Sequence, residues 1–252
     1  SLDATYFDGI TRATISVLVI NDTIIASALK VAREKLAGFV APSNIIIDPD
    51  YYQDLNFEQL VANNYIKHWQ LTREQAIAIA ENSSTELANE INTLSEGENG
   101  FIDLYFAFVN IPIIGKNLLG EQEYQRLLEN LKPGEHALMV FSRGKYAFIS
   151  EDFIPQTVPS RLSAEQDGLP VDIRDIDFYS YYDPAFGLTI PDFNEVKVFR
   201  IKSQSGFELS KTWSLSLSVS YQQSFLSQKQ YSFAIKSTLP DTLFIHQEPT
   251  EN

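Results

Sequence analysis

The sequence predicts an α+β fold, with an N-terminal helical segment and mixed strands followed by a mostly antiparallel β-sheet domain. Apolar residues recur at three- and four-residue spacing from Val17 to Leu36, which is typical of a helix with a wide buried face. From Lys211 to Tyr221, apolar residues instead alternate with serines, the period of a half-buried strand. A hydrophobic content of 44% favours a packed core over disorder.

Local patterns predict the elements of the first half. Asn56 and Thr72 each begin a helix, and a glutamine three residues after Thr72 completes a capping box. Residues 121–131 are predicted to form an amphipathic helix that a Pro-Gly pair ends. The other predicted elements are strands at 65–71 and 101–111, a short helix at 85–94 and an exposed loop at 95–100. The apolar run 45–47 is either a short strand or a packed plug.

The second half shows the pattern of antiparallel strands. Residues 137–141 and 146–149 flank a polar turn and predict a hairpin. A second predicted hairpin joins 162–165 to 171–176 around Asp167-Gly168, because the Asp-Gly dipeptide strongly favours a hairpin turn. Further strands are predicted at 195–201, at 211–221 and at 230–238, and the last two are expected to pair.

Charge and composition exclude several classes of function. Lys and Arg number 19 against 33 Asp and Glu, which leaves a net charge of −14. Such a surface repels nucleic-acid phosphates, so we expect no direct nucleic-acid binding, and it would suit a basic protein partner. The absence of cysteine excludes disulfides and iron–sulfur ligation by this chain. No apolar run approaches the roughly 20 residues that span a bilayer, so any membrane anchoring is expected outside these residues.

No cluster of titratable residues predicts catalysis or a metal site. His68, His136 and His246 are widely separated, and none has a second ligand at metal-binding spacing. Four aspartates near Tyr179 match no calcium-loop spacing and are expected at a solvated hairpin margin. They are Asp172, Asp175, Asp177 and Asp183. We therefore predict neither catalytic residues nor metal ligands.

The strongest chemical signal lies in the first residues. A helix that begins near Ser16 would place its free amide groups and positive dipole beside Thr14, with the Arg12 guanidinium two residues upstream. That arrangement suits a phosphate group. Two other interpretations stay open, namely hydroxyls that only cap the helix and a strand that starts at 15–20.

Residues 8–14 resemble the flavinylation motif of FMN-binding domains, Asp-x-x-Ser/Thr-Gly-Ala-Thr. Their sequence is Asp8-Gly9-Ile10-Thr11-Arg12-Ala13-Thr14. The resemblance implies that the Thr14 hydroxyl is the acceptor of a covalent phosphoester to FMN. Asp8, Thr11 and Ala13 also match the motif. Arg12 stands where glycine is usual, which adds a cationic side chain near the expected phosphate.

Two longer segments, Ser16 to Arg33 and residues 101–134, resemble the NosR/NirI family of membrane-bound, iron–sulfur-containing flavoproteins of nitrous oxide respiration. The resemblance extends to about Tyr179 and is much weaker beyond it. It implies that residues 1–40 are the C-terminal remnant of an FMN-binding domain. Residues 41–252 would then form a periplasmic α+β domain, β-rich from about residue 137.

The resemblance also implies a function. The chain would be a fragment of a longer protein whose signal sequence, membrane helices and cysteine-rich clusters lie outside it. We expect that protein to be an electron-transfer and regulatory component rather than an enzyme with its own substrate. It would support nitrous oxide reductase activity, maturation and expression from the periplasmic face of the inner membrane.

The expected cofactor is covalent FMN in the full-length protein, absent from this fragment. The expected partners are periplasmic proteins such as nitrous oxide reductase or its assembly factors. The alternative is that the portion after about residue 40 is a docking or sensing module that binds a periplasmic protein and carries no redox group.

Overall fold

Antiparallel sheets and short helices make up the described part of the computed structural model, which comprises residues 4–7, 45–82, 85–149, 161–176, 193–224 and 227–246. The helices α1 to α4 are Phe57–Ala62, Arg73–Glu81, Thr85–Asn92 and Pro112–Glu129. The strands β1 to β12 are Ala4–Phe7, Ile45–Ile47, Lys67–Leu71, Ile102–Phe108, His136–Ser142, Leu162–Gln166, Leu169–Val171, Ile173–Asp175, Glu195–Ile201, Trp213–Ser224, Ser227–Ser237 and Phe244–His246. This content confirms the predicted α+β class.

The central sheet has the strand order β3-β4-β5-β9-β8, with antiparallel neighbours throughout. Every side chain of β4 is buried. On one face Phe106 and Phe108 contact Trp213 of β10, with ring centroids 5.6 and 5.3 Å apart. On the other face Tyr105 contacts Phe57 of α1 at 5.6 Å. The central sheet is therefore covered by a strand of the second sheet on one face and by a helix on the other.

The second sheet has the order β1-β11-β10-β6-β7 and is also antiparallel. The predicted alternation along β10 is confirmed, because its apolar residues from Trp213 to Val219 are buried and the serines between them are half-buried. The pairing of β10 with β11 is confirmed as well. Their backbones stay paired as far as Ser224 and Ser227, which shortens the predicted loop.

The Asp167-Gly168 turn forms as predicted, with φ of 55° and 75°, and it joins β6 to β7. The strand predicted at 171–176 is divided between two sheets. Val171 pairs with β6 in the second sheet, whereas Ile173–Asp175 pairs with β9 in the central sheet. One extended segment therefore connects the two sheets.

The hairpin predicted from 137–141 and 146–149 is wrong. The neighbours of β5 are β4 and β9, and residues 146–149 form no strand. After β5 the backbone crosses the start of β4 instead, where the Arg143 amide donates to the carbonyl of Asp103 and the Tyr146 amide to that of Phe101. These bonds use the amides that a hairpin would have needed.

Asn56 and Thr72 begin α1 and α2 as predicted, and each makes a reciprocal capping box with a glutamine. The helix predicted at 121–131 begins earlier, at Pro112, because proline suits the first turn of a helix. Its first half is mostly buried, and Gly120 interrupts it with a φ of 76°. This half has two polar residues, the adjacent Lys116 and Asn117, which are too few to mark an amphipathic period in the sequence.

The packing of α4 against the end of β4 depends on Gly115. A Cβ at this position would overlap the Val109 carbonyl oxygen and the ring of Tyr124. We expect Gly115→Ala to lower the free energy of unfolding by roughly 3 kcal/mol, as overpacking of a tight site does.

Urea denaturation measures this cost. Gly97→Ala is the control, because a Cβ there lies 3.3 Å from the Lys145 Cβ, a contact that a small shift relieves. An equal loss of stability in the two variants would contradict the close approach at Gly115.

Candidate functional site

The residues of the predicted flavin site lie outside the described residues. They are Asp8, Thr11, Arg12, Ala13 and Thr14, and the predicted helix from Val17 to Leu36 lies outside as well. Just before them, β1 pairs with β11, with Ala4 opposite Phe233 and Phe7 opposite Gln230. The described chain therefore leaves the edge of the second sheet just before the predicted flavinylation motif.

The described residues contain one compact group of titratable and aromatic side chains on the central sheet, here called the Asp103 cluster. It consists of Asp103, His68, Tyr105, Arg143 and Phe193. The Asp103 carboxylate lies at its centre, with Oδ1 2.6 Å from His68 Nε2 and Oδ2 3.3 Å from Arg143 Nε. Arg143 Nη2 donates to the Tyr105 hydroxyl at 2.7 Å.

Strand register brings the first three residues of the cluster together. His68 on β3 lies directly opposite Tyr105 on β4, and their rings stack with centroids 4.0 Å apart. Asp103 precedes Tyr105 by two residues, so its side chain leaves β4 on the same face. The cluster is thus a consequence of pairing two strands that are separated by a pair of helices.

Arg143 reaches the cluster from the segment that follows β5. Its amide donates to the Asp103 carbonyl, and its own carbonyl accepts from the side chains of Asn99 and Asn194 at 3.4 and 3.1 Å. Gly144 allows this approach, because a Cβ there would overlap the backbone nitrogen of Asp103. The backbone of Arg143 is therefore held at both its amide and its carbonyl.

The electrostatics of the cluster follow from the burial of Asp103, whose side chain is 2% exposed. A buried carboxylate is stable only when it is paired and hydrogen-bonded, and Arg143 and His68 provide both. The Arg143 guanidinium also lies 5.1 Å from the Tyr105 ring centroid and 5.5 Å from that of Phe193, a favourable cation–π arrangement. Burial raises the pKa of Tyr105, while the charge of Arg143 opposes that rise.

The cluster can hold one imidazole in a fixed orientation. His68 Nε2–H donates to the Asp103 carboxylate, and the His68 side chain is 31% exposed. Among the described residues no group of three or more histidine, aspartate or glutamate side chains is placed to hold a metal ion. The arrangement is that of a buried ion pair stabilising the core. The sequence indicates a surface or packing role for His68, and its partners were missed because they are distant in the chain.

A second histidine is held in its neutral form. Asn110 accepts from the Ala137 amide at 3.0 Å and donates to His136 Nδ1 at 3.2 Å. A hydrogen bond to the Phe207 carbonyl engages the same imidazole. Burial lowers the pKa of His136 to about 4 despite that bond. His136 is therefore half-buried and uncharged at neutral pH.

The aspartates near Tyr179 are divided by the fold. Asp175 is buried, with Oδ2 3.4 Å from Lys197 Nζ, and Asp172 lies 3.2 Å from Arg174 Nε. Asp177 and Asp183 lie outside the described residues. For Asp175 the predicted solvated margin is wrong, because β8 places this residue on the covered face of the central sheet.

None of the helices in the described residues is both long and apolar enough to cross a membrane.

Three curated proteins are similar to most of this chain. Regulatory protein NosR of Stutzerimonas stutzeri is 31% identical over 238 residues, which is 93% of this chain and 33% of that protein. Regulatory protein NosR of Pseudomonas aeruginosa is 28% identical over 247 residues, 96% of this chain and 34% of that protein. Protein NirI of Paracoccus denitrificans is 28% identical over 197 residues, 77% of this chain and 27% of that protein.

The chain thus spans about a third of the length of the curated relatives it matches. The matches extend beyond Tyr179, where the resemblance in the sequence was weak. No protein-family model and no solved structure matches the chain.

Removal of the Asp103 carboxylate should destabilise the protein strongly. Asp103→Ala leaves the Arg143 guanidinium without its buried partner, and we expect a loss of roughly 3 kcal/mol in the free energy of unfolding. Chemical denaturation measures it. The control is Asp54→Ala, which removes an exposed carboxylate and should change stability by about 0.5 kcal/mol or less. Similar losses in both variants would show that Asp103 is not the centre of a buried pair.

Stability should also depend on pH through His136. Its folded pKa lies below the ordinary 6.5, so the unfolded chain binds a proton that the folded chain excludes between those values. The contribution is complete above pH 6.5 and is lost as the pH falls towards 4, by roughly 3 kcal/mol in total.

The measurement compares the unfolding free energies of the wild type and His136→Gln at several pH values. The difference between them should fall steadily from pH 6.5 downwards. A difference that is independent of pH would contradict a His136 that stays neutral in the folded protein.

Proposed function

We propose that this chain, which belongs to the NosR/NirI family, is part of a regulatory flavoprotein of denitrification. The longer protein would carry FMN on Thr14 and pass electrons between membrane iron–sulfur centres and a periplasmic acceptor. In that role it would support the activity, maturation and expression of nitrous oxide reductase. The chain would lie at the periplasmic face of the inner membrane and be anchored through regions outside these residues.

The observation that carries the proposal is the similarity to proteins named regulatory protein NosR, which extends over 93% of the chain at 31% identity. A match of that extent includes the central sheet, and it supports a role in denitrification like that of the relatives. Since the chain spans about a third of those proteins, the activity of the whole protein is part of the proposal.

The flavin part of the proposal rests on the spelling of the motif. Asp8, Thr11, Ala13 and Thr14 occupy the motif positions, and Arg12 adds a guanidinium that would face the phosphate. FMN supplies one- and two-electron transfer, and the protein supplies attachment and the surroundings that set the potential. Thr14 contributes the hydroxyl oxygen of the phosphoester. Covalent attachment at this oxygen would keep the flavin from diffusing away in the periplasm.

The docking alternative is favoured by a separate observation, which is the position of the exposed apolar side chains on β2 and β12. It does not compete with flavin attachment, because the two concern different residues. A chain that carries a flavin on Thr14 still needs a surface that meets its electron acceptor.

Flavin attachment is tested by co-expression of the chain, with its upstream flavin domain restored, and an FMN transferase. We expect a protein mass increased by one FMN less one water, and a flavin absorbance that survives denaturation. Thr14→Ala should abolish both. Thr23→Ala, which changes a threonine outside the motif, is the matched control and should keep both.

Two results would overturn the assignment. Covalent flavin retained in Thr14→Ala would place the attachment elsewhere. Wild-type protein that never acquires flavin, while a known flavinylated protein expressed in parallel does, would exclude the redox function for this chain.

A further inference from the structure

The large exposed apolar side chains of the described residues all lie in one region. Ile45 is 38% exposed, Ile46 36%, Tyr52 50% and Ile245 40%. The isoleucines belong to the two-stranded sheet formed by β2 and β12, and Tyr52 follows it by a few residues. Apolar side chains on a monomer are normally scattered, and their concentration in one place indicates an interaction surface.

The geometry of this two-stranded sheet explains the exposure. Ile46 lies directly opposite Ile245, and the next pair, Ile47 with Phe244, is partly buried against the core. Because successive side chains leave a strand on opposite faces, Ile46 and Ile245 point away from the core as a matched apolar pair. No described strand pairs with the outer edge of β12.

The charges of this region have a single sign. Residues 45–58 and 239–246 contain no lysine or arginine. Their carboxylates are those of Asp48, Asp50, Asp54, Glu58 and Asp241. Within the described residues none of the five makes a salt bridge. The nearby cation, Lys116, lies 5.6 Å from the Tyr52 ring and pairs with Glu121 at 3.2 Å.

The backbone holds several of these carboxylates at the sheet. The Asp48 amide donates to the Leu243 carbonyl at 2.9 Å, and the Asp50 amide donates to Asp48 Oδ1 at 2.9 Å. Asp241 begins the short 3₁₀ turn that leads into β12. The apolar pair is therefore bordered by uncompensated negative charge at the end of the sheet where β2 leaves and β12 arrives. We call Ile46, Ile245, Tyr52 and the carboxylates of Asp48, Asp50 and Asp241 the acidic-apolar surface.

We propose that the acidic-apolar surface docks a protein partner whose contact region places apolar side chains between lysines and arginines. The proposal deepens the partner part of the proposed function and is independent of flavin attachment. Charge decides between the possible occupants. A second copy of this chain would bring the same carboxylates together, and an anionic membrane would repel them.

The two parts of the surface would have different roles in binding. Apolar side chains at the centre of a contact contribute most of the affinity, since they are fully desolvated. Charges at the rim mainly set the association rate and its dependence on salt. The proposal therefore predicts separable effects of changing the isoleucines and of changing the carboxylates.

The test uses the purified chain and a short labelled peptide in which lysine alternates with valine. In one comparison peptide glutamate replaces lysine, and in a second serine replaces valine. Fluorescence anisotropy at rising salt concentrations gives the affinities. We expect the lysine–valine peptide to bind at least about tenfold more tightly than either comparison peptide, a difference of about 1.4 kcal/mol.

Variants then locate the binding. Ile46→Thr with Ile245→Thr keeps β-branched residues on the strands and should weaken binding about tenfold. Asp48→Asn, Asp50→Asn and Asp241→Asn together should slow association and flatten the salt dependence. The matched control, Glu81→Gln with Glu98→Gln and Glu129→Gln, removes three exposed carboxylates elsewhere and should do neither. Thermal unfolding checks that each variant is folded. If the isoleucine variant does not fold, the triple Asn variant by itself still tests the proposal.

Several outcomes would overturn the proposal. If the triple Asn variant and its control lose association rate and salt dependence equally, peptide binding depends on net charge alone and not on this surface. Unchanged affinity in the isoleucine variant would exclude the apolar pair. Self-association that Ile46→Thr abolishes would identify a second copy as the occupant, and binding to phosphatidylglycerol vesicles would identify a lipid surface. Thr14→Ala should leave peptide binding unchanged. A failure of the docking proposal can therefore be distinguished from a failure of flavin attachment.

Discussion

The burial of β4 on both faces is the constraint on which the rest of the structure depends. A strand covered on both sides must be nearly all apolar, and Ile102–Phe108 has one charged residue, Asp103, in a run of buried side chains. A carboxylate in that position requires a cation and further hydrogen bonds. Arg143 provides the cation only because the chain turns back over the start of β4 after β5. The Asp103 cluster and the failure of the predicted hairpin at 142–145 thus have the same physical cause.

Much of the fold could be predicted because many of its elements have a local cause. The alternation along β10, the capping boxes at Asn56 and Thr72, and the Asp167-Gly168 turn each depend on residues close in sequence, and all were predicted. The first half of α4 was not, because Lys116 and Asn117 are its two polar residues, and one adjacent pair shows no period of 3.6 residues. Pro112 at its start was the remaining signal in the sequence.

The Asp103 cluster could not be predicted for a different reason. His68 and Asp103 are separated by 35 residues, and Arg143 and Tyr105 by 38, so their contact depends on strand register and not on local pattern. The family was recognised from sequence similarity and not from a physical argument. The similarity lies in Asp8 to Thr14 and in two longer segments, and the curated relatives confirm the family. The attachment of FMN to Thr14 stays a prediction, because a sequence motif does not show how atoms are arranged around the Thr14 hydroxyl.

The distribution of charge connects the composition to one place on the fold. Buried carboxylates take up basic side chains from a limited supply: Asp103 pairs with Arg143, Asp175 with Lys197, and Glu135 with both Arg200 and Lys202. Four of the 19 basic residues pair with three of the 33 acidic ones in this way, which leaves 19 − 4 = 15 basic residues for 33 − 3 = 30 acidic ones elsewhere. At the acidic-apolar surface this excess coincides with apolar side chains that are exposed among the described residues. A basic partner that buries Ile46 and Ile245 would compensate both, whereas salt alone would screen only the charge.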